Sequence, residues 1–124
     1  MKKIVVSLDE QMVRAYEDDQ PVYEFICVTG DDDHPTDTGN FKIFRKEHPY
    51  RSKTYNVEMD YAMFFTEDGK ALHQYHGPVP LSVVRTMRQG VTDWFGSHGC
   101  VRLEEEAART LFEWAPINTR VSIS

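Results

Sequence analysis

The sequence Ser97-His98-Gly99-Cys100-Val101-Arg102-Leu103 places a cysteine among a histidine, a glycine and an arginine. A cysteine is nucleophilic as a thiolate, and nearby cations or a helix N-terminus lower its pKa from about 8.5 to roughly 3.5–7.5. Arg102 follows the sulfur by two residues, and a helix-like segment begins near Glu104. The segment therefore predicts an activated thiol and favours an enzyme that transfers acyl groups through Cys100.

The composition of the chain is that of one globular domain. Its 124 residues are enough for one core but not two, and a net charge of −6 without a basic run argues against nucleic acid or an anionic membrane as partner. No apolar run approaches the roughly 18 residues of a membrane span. The short apolar run after Lys3 predicts a first strand, so the chain is expected to carry no export signal of its own.

Strand patterns dominate the chain. β-Branched and aromatic residues, alternation of apolar and polar positions, and turn-type residues between them predict strands. The predicted strands cover 3–8, 12–16, 22–28, 41–45, 61–65, 71–73 and 119–123. Residues 46–53, which include Pro49, are expected to form a loop, and the Asp-Gly pair within 67–70 predicts a turn.

Two segments carry helix patterns instead. Residues 81–89 lie between Pro80 and Gly90, which suits one short helix. Apolar residues recur at helical spacing over 103–114, and Pro116 ends that segment. Three glutamates lie in its first turn, where the helix dipole favours negative charge. The sequence therefore predicts a mainly β fold with one or two short helices.

Three histidines compete for the role of general base to Cys100. His98 lies two residues before the sulfur, His73 ends a predicted strand, and His76 lies in the loop beyond it. Spacing alone does not rank them. Gly99 lets a substrate carbonyl approach the sulfur closely, and backbone amides at such a turn are natural donors to an oxyanion.

Other groups have two interpretations each. Arg102 either holds a substrate carboxylate and favours the thiolate, or pairs with Glu105 or Glu106 of the following helix. The acidic loop over 31–37 lacks the pattern of a calcium loop and is expected to be a solvated turn.

The two cysteines have different surroundings. Cys27 lies in an apolar run, which predicts a buried thiol and no disulfide with Cys100. A zinc site is a minority alternative, because the Cys-x-x-Cys pattern that would favour it strongly is absent. Its four ligands would be His73, His76, His98 and Cys100.

The motif around Cys100 resembles that of the L,D-transpeptidase catalytic domain, the YkuD-type domain. The likeness extends over nearly the whole chain: 4–8, 28–30 with 35–43, 61–65 with 69–73, the helix from Glu104, and 119–123. The resemblance implies a β-sandwich of the L,D-transpeptidase type, forming one catalytic domain over residues 1–124.

The resemblance also implies an activity on bacterial peptidoglycan. Cys100 would attack the bond between a diamino acid and the terminal D-alanine of a tetrapeptide stem. An amine of another stem would then resolve the acyl-enzyme; alternatives are water, as in an L,D-carboxypeptidase, or a non-catalytic wall-binding domain. The implied partners are peptidoglycan stem peptides, with no metal, no cofactor and no nucleic acid. A monomer in the cell envelope is expected.

The resemblance assigns roles to individual residues. His73 would be the base, because it follows a Gly-x-Ala-Leu run in the family manner, and the carbonyl of Gln74 would orient it. His98 would support the thiolate, Ser97 and Arg102 would line the site, and Gly99 would border the oxyanion pocket.

The chain departs from the family pattern in two places. Gln74 stands where the family usually has glycine or a small residue after its histidine, whereas a His-Gly pair occurs at His76, so His76 is the alternative base. The stretch from His73 to Ser97 is also longer than usual. Residues 78–95 are therefore expected to form a lid-like insertion that contains the short helix and reshapes the acceptor side.

Overall fold

A computed structural model describes residues 1–30, 35–53, 57–87 and 99–124. Its strands are β1 (Lys2–Ser7), β2 (Met12–Glu17), β3 (Gln20–Val28), β4 (Gly39–Lys42), β5 (Arg45–Glu47), β6 (Arg51–Ser52), β7 (Val57–Glu58), β8 (Ala62–Phe64), β9 (Ala71–Gln74), β10 (Val101–Leu103) and β11 (Arg120–Ile123). Its helices are α1 (Leu81–Met87) and α2 (Glu105–Trp114). The mainly β class with two short helices is confirmed.

One curled sheet forms most of the fold. Its strand order is β4-β11-β1-β2-β3-β10-β9-β8-β5, while β6 and β7 pair separately. Strand β3 joins the two halves, because its residues up to Ile26 pair with β2, whereas Cys27 and Val28 pair with β10. Side chains from both halves pack into one core cluster, so the sheet closes on itself and makes the predicted sandwich without a second large sheet.

Helix α2 is fixed against this core at both its side and its end. Ala107, Ala108 and Leu111 are buried on its inner face, as the helical spacing predicts. At its C-terminal end, Lys2 Nζ donates to the carbonyl of Trp114 at 2.8 Å, and Lys46 Nζ donates to that of Ala115 at 2.8 Å. Cations at this end satisfy free carbonyls and complement the helix dipole.

Two predicted boundaries are wrong. Leu103, expected in the first turn of the helix, ends β10 as a buried strand residue, and α2 begins at Glu105. The predicted strand over 41–45 is broken, because the amide of Ile43 donates to Thr119 while that of Phe44 donates to Phe64. The chain thus changes partner from β11 to β8 within two residues, and residues from the expected loop 46–53 enter β5 and β6.

The region of the predicted lid is described only in part. Helix α1 packs through Leu81 and Val84 on Val28 of β3. Residues 88–95 lie outside the described residues, so the lid-like insertion stays a prediction. In the described ranges, neither helix is long and apolar enough to cross a membrane.

Candidate active site

The parallel pairing of β9 and β10 places Cys100 and His73 on one face of the sheet. Arg102 lies opposite His73 in the register of this pair. Continued back by one residue pair beyond the end of β10, the register sets Cys100 beside Ala71, whose backbone hydrogen-bonds to the Cys100 sulfur. Because side chains alternate along strands, Cys100, Arg102 and His73 share a face.

The opposite face of this strand pair is core. Leu72, Val101 and Leu103 pack there with α2. Neighbouring strands lie about 4.8 Å apart and two residues span about 6.6 Å, so the Cα atoms of Cys100 and His73 are separated by roughly 8 Å. A thiol and an imidazole directed towards each other can bridge that separation.

The His73 imidazole is buried and neutral. Its Nδ1 lies 2.8 Å from the carbonyl oxygen of Gln74, and since a carbonyl only accepts, Nδ1 carries the proton. The pKa of His73 is lowered to about 4, mainly because the imidazole is buried. The Arg102 charge also lowers this pKa, whereas the hydrogen bond to the Gln74 backbone raises it. At neutral pH, Nε2 is therefore an unprotonated acceptor.

The Cys100 thiol is also buried, with 4% of the residue exposed, beside Met59, Ala62 and Phe64. Burial raises its pKa to about 11, although the backbone of Ala71 and the Arg102 and Lys70 charges lower it. The prediction of a thiolate at neutral pH is thus wrong, because desolvation of the sulfur outweighs the neighbouring cations.

The prediction that a helix N-terminus lowers the pKa of Cys100 is wrong as well. The three residues of β10 and the extended residue Glu104 separate Cys100 from α2, which is more than about 10 Å of extended chain. The effect of a helix dipole falls off within its first turn. The Ala71 backbone and the charges of Arg102 and Lys70 are therefore the described groups that favour the thiolate here.

His76 lies in a cluster of carboxylates. Its Nε2 is 3.1 Å from Oδ2 of Asp60, and its Nδ1 is 3.6 Å from Oε2 of Glu58. Both imidazole nitrogens of His76 thus face carboxylates, whereas the His73 imidazole lies on the face that carries Cys100. The geometry favours His73 over His76 as the base.

The same cluster bears on the zinc alternative. Among the described residues, the potential ligand atoms that converge within 4.8 Å belong to Glu58, Asp60 and His76, and not to His73, His76 and Cys100. A histidine binds one metal ion through one nitrogen. Each nitrogen of His76 faces a different carboxylate, so the two carboxylates do not meet at one imidazole nitrogen. His98 lies outside the described residues.

The remaining predicted site residues are placed as follows. Arg102 lies with its guanidinium carbon 5.4 Å from the centre of the Tyr75 ring. The alternative ion pair of Arg102 with Glu106 does not form, since Glu106 lies 3.4 Å from Arg109 instead, and none forms with Glu105. Ser97 lies outside the described residues, as His98 does, so the roles implied for both stay predictions.

Sequence reasoning missed Lys70 and Asp37. Lys70 Nζ lies 2.8 Å from Oδ2 of Asp37 and 3.4 Å from Oδ2 of Asp68, and its charge acts on Cys100. The side chain is 13% exposed, so this cation is held beside the cysteine loop. Its only sequence signal is its position between the Asp-Gly turn and β9.

Gly99 offers a test of this packing. Its φ is +102°, and a Cβ would lie 2.5 Å from Lys70 Cε and 3.3 Å from the Pro35 carbonyl. We expect Gly99→Ala to lower the free energy of unfolding by about 1–3 kcal/mol and to reduce activity. Gly69→Ala is the matched control, because its φ is +97° but no atom lies within 4 Å. Equal losses of stability and activity in the two variants, measured by urea unfolding and by assay of the activity proposed below, would show that the contact is unimportant.

The burial of His73 makes stability depend on pH. Its pKa falls from 6.5 to about 4 on folding, so between these values the unfolded chain binds more protons and stability falls with decreasing pH. Protonating His73 thus costs the folded state about 3 kcal/mol, a penalty that is nearly absent at neutral pH and grows as the pH falls from 6.5 to about 4. Urea unfolding of His73→Gln should show a flatter acid limb than the wild type. Parallel curves would contradict the neutral buried imidazole.

The fold is a curled β sheet in which a histidine on β9 and a cysteine just before the parallel strand β10 lie on one face. The sequence model of the YkuD family, described as the L,D-transpeptidase catalytic domain, matches residues 1–123. The chain belongs to this family. No curated protein matches it in sequence.

Solved structures of L,D-transpeptidases share the fold. An L,D-transpeptidase from Stackebrandtia nassauensis is 28% identical with a TM-score of 0.83, covering 99% of this chain and 55% of its own. A mutant of the Enterococcus faecium enzyme is 22% identical with a TM-score of 0.81, covering 99% and 49%. L,D-transpeptidase 3 from Mycobacterium tuberculosis, with a faropenem-derived adduct, is 19% identical with a TM-score of 0.81, covering 99% and 60%. The chain thus spans 49–60% of the length of these proteins.

Proposed function

We propose that this domain is a cysteine-dependent L,D-transpeptidase of peptidoglycan stem peptides, with Cys100 as nucleophile and His73 as base. The observation that carries the proposal is the register of β9 and β10, which sets the two residues on one face. The family match over residues 1–123 supplies the substrate class.

The first half-reaction begins from a neutral pair. Because the pKa of Cys100 is about 11 and that of His73 about 4, neither residue is charged at neutral pH. Nε2 of His73 takes the thiol proton as the sulfur attacks the carbonyl carbon of the diamino acid–D-alanine bond. The carbon–nitrogen bond then breaks, His73 returns the proton to the leaving amine, and a thioester on Cys100 and free D-alanine remain.

The second half-reaction uses the same pair. An amine of another stem attacks the thioester, His73 accepts its proton, and the sulfur leaves and is protonated again. The Gln74 carbonyl holds the Nδ1 proton throughout and stabilises the imidazolium that forms transiently. Arg102 would hold a stem carboxylate, Gly99 would border the oxyanion, and Ser97 and His98 would take the roles that the family resemblance implies.

This chemistry needs no metal or cofactor, because side chains of one chain provide both the nucleophile and the base. A single copy therefore suffices, in keeping with the expected monomer. Because the proposed substrate is peptidoglycan, the domain is expected to act in the cell envelope.

Incubation with purified tetrapeptide muropeptides and mass analysis of the products tests the proposal. Release of D-alanine with a cross-linked dimer indicates transfer, whereas release with a tripeptide product indicates the carboxypeptidase alternative. Binding without any D-alanine release would contradict the proposal and favour the wall-binding alternative. Alkylation at neutral pH does not discriminate, because a buried, protonated thiol reacts slowly in either case.

A further inference from the structure

The outer face of three neighbouring strands carries a row of cations. Lys3 lies opposite Arg120 in the parallel pair of β1 and β11, and Arg120 lies opposite Lys42 in the antiparallel pair of β11 and β4. Residues opposite each other in a sheet point to the same face. The alternate residues Ile4 and Val121 are buried, so the three cations lie on the outer face.

This row forms one side of a groove. The groove has a volume of about 540 Å³ and is lined by Lys3, Asn40, Phe41, Lys42, Arg120 and Ser122. Ser122 and Asn40 lie opposite each other in the next outward-facing register position. The groove therefore combines three positive charges with a hydroxyl and an amide, which donate hydrogen bonds.

Among the residues that the structure describes, no carboxylate pairs with the cations of this row. Within the described ranges, every ion pair that forms involves a cation outside the row. Arg14 on the adjacent strand, by contrast, lies 2.8 Å from a carboxylate oxygen of Glu24 and also contacts Glu10. Lys3 is placed over the Tyr16 ring, with Nζ 5.7 Å from its centre.

Like charges directly opposite each other destabilise a sheet. The chain as a whole has a net charge of −6, so an unbalanced row of three cations runs against its overall charge. A ligand that brings negative charge to the groove would remove the repulsion, which is the physical reason to expect binding there.

We propose that this groove binds an extended ligand that carries at least two phosphate or carboxylate groups. Adjacent cations in the row are about 4.8 Å apart at the backbone and the outer two about twice that, so a ligand with two or more anionic groups can contact all three at once. Arg120 suits bidentate contact with an oxyanion, while Lys3 and Lys42 act as point charges on either side.

The groove is separate from the Cys100 site. Strands β2 and β3 lie between β1 and β10 in the sheet, so an anion in the groove leaves the face of β9 and β10 open. Binding in the groove is therefore measured without turnover, and its failure would be distinguishable from a failure of the proposed activity.

Titration calorimetry of the full chain with tripolyphosphate and with propane-1,2,3-tricarboxylate tests the proposal. We expect at least one of them to bind at 50 mM salt, and to bind more weakly at 300 mM because salt screens exposed charges. Preference for one probe identifies phosphate or carboxylate as the ligand chemistry. Absence of binding by both probes at low salt would overturn the proposal.

A charge-matched pair of variants locates the site. The double variant Lys42→Gln with Arg120→Gln should weaken binding by tenfold or more. Arg51→Gln with Arg109→Gln removes the same charge from exposed positions outside the groove and should change it less than twofold. Equal weakening in both would mean a net-charge effect only and would overturn the proposal.

Thermal unfolding of the groove variant provides a second readout. Without ligand, its melting temperature should equal or exceed that of the wild type, because cross-strand repulsion is relieved. With the binding anion, the wild type should gain melting temperature and the variant should not. A variant that is less stable without ligand would show that the row is structural, which also overturns the proposal.

Discussion

Replacing Cys100 with alanine is expected to abolish D-alanine release from tetrapeptide stems, by about 10³-fold or more. The physical reason is that no acyl-enzyme forms without the sulfur. The fold should persist, because alanine fits among the small and apolar neighbours of this position, which include Ala62 and Ala71. The measurement is mass analysis of muropeptide products over time, with circular dichroism as the check on folding.

The second cysteine supplies a matched control. Cys27 is fully buried in the main core cluster and is not bonded to Cys100. Cys27→Ala should therefore lose some stability but retain D-alanine release. As the proposed nucleophile, Cys100 should be acylated by a carbapenem, which should add one mass increment to the wild type and to Cys27→Ala. D-alanine release by Cys100→Ala, or an adduct on it, would refute the assignment of the nucleophile.

His73→Gln is expected to lower kcat/KM by about 10²–10⁴-fold, because the thiol then has no acceptor for its proton. His76→Gln is the matched control, since His76 contacts Glu58 and Asp60 rather than the face that carries Cys100. The decrease in kcat/KM of the His76→Gln variant should stay below about tenfold. A large loss in His76→Gln with little loss in His73→Gln would instead assign the base to His76.

The pH profile gives a readout that a purely structural role of His73 would not produce. The pKa of His73 is about 4, so the imidazole stays an acceptor until the pH approaches that value. In the wild type, kcat/KM should therefore hold from neutral pH to about 5 and fall below it. A fall centred on the ordinary histidine pKa of 6.5 would contradict a buried, neutral base.

Much of the fold follows from local patterns. The strands over 3–8, 12–16, 22–28 and 71–73 were predictable because alternation and β-branched residues report which side chains face a core. The break at Ile43 and Phe44 was not, because it arises where the chain passes from β11 to β8, and partner strands leave no local mark. Leu103 could not be assigned from its spacing alone, because an apolar residue at this position suits both the helix over 103–114 and a strand that ends before it.

The candidate site divides in the same way. The motif around Cys100 and the Gly-x-Ala-Leu run before His73 identify the residues and the family, and a contact between Gln74 and His73 is implied by that likeness. Lys70 and Asp37 are 33 residues apart in sequence, and only the fold brings their charges together beside Cys100. Such a pair has no periodicity by which it could be recognised.

By itself, the sequence determined the mainly β class with one or two helices, the family and the two residues proposed for catalysis, since these depend on residue type and short-range spacing. Only the tertiary structure decided the protonation states of Cys100 and His73, the separation of His76 from the pair, and the row of cations across β1, β11 and β4. Each of these depends on desolvation or on charges contributed by distant strands. A pKa responds to everything packed around the group, and that packing exists only once the sheet has curled.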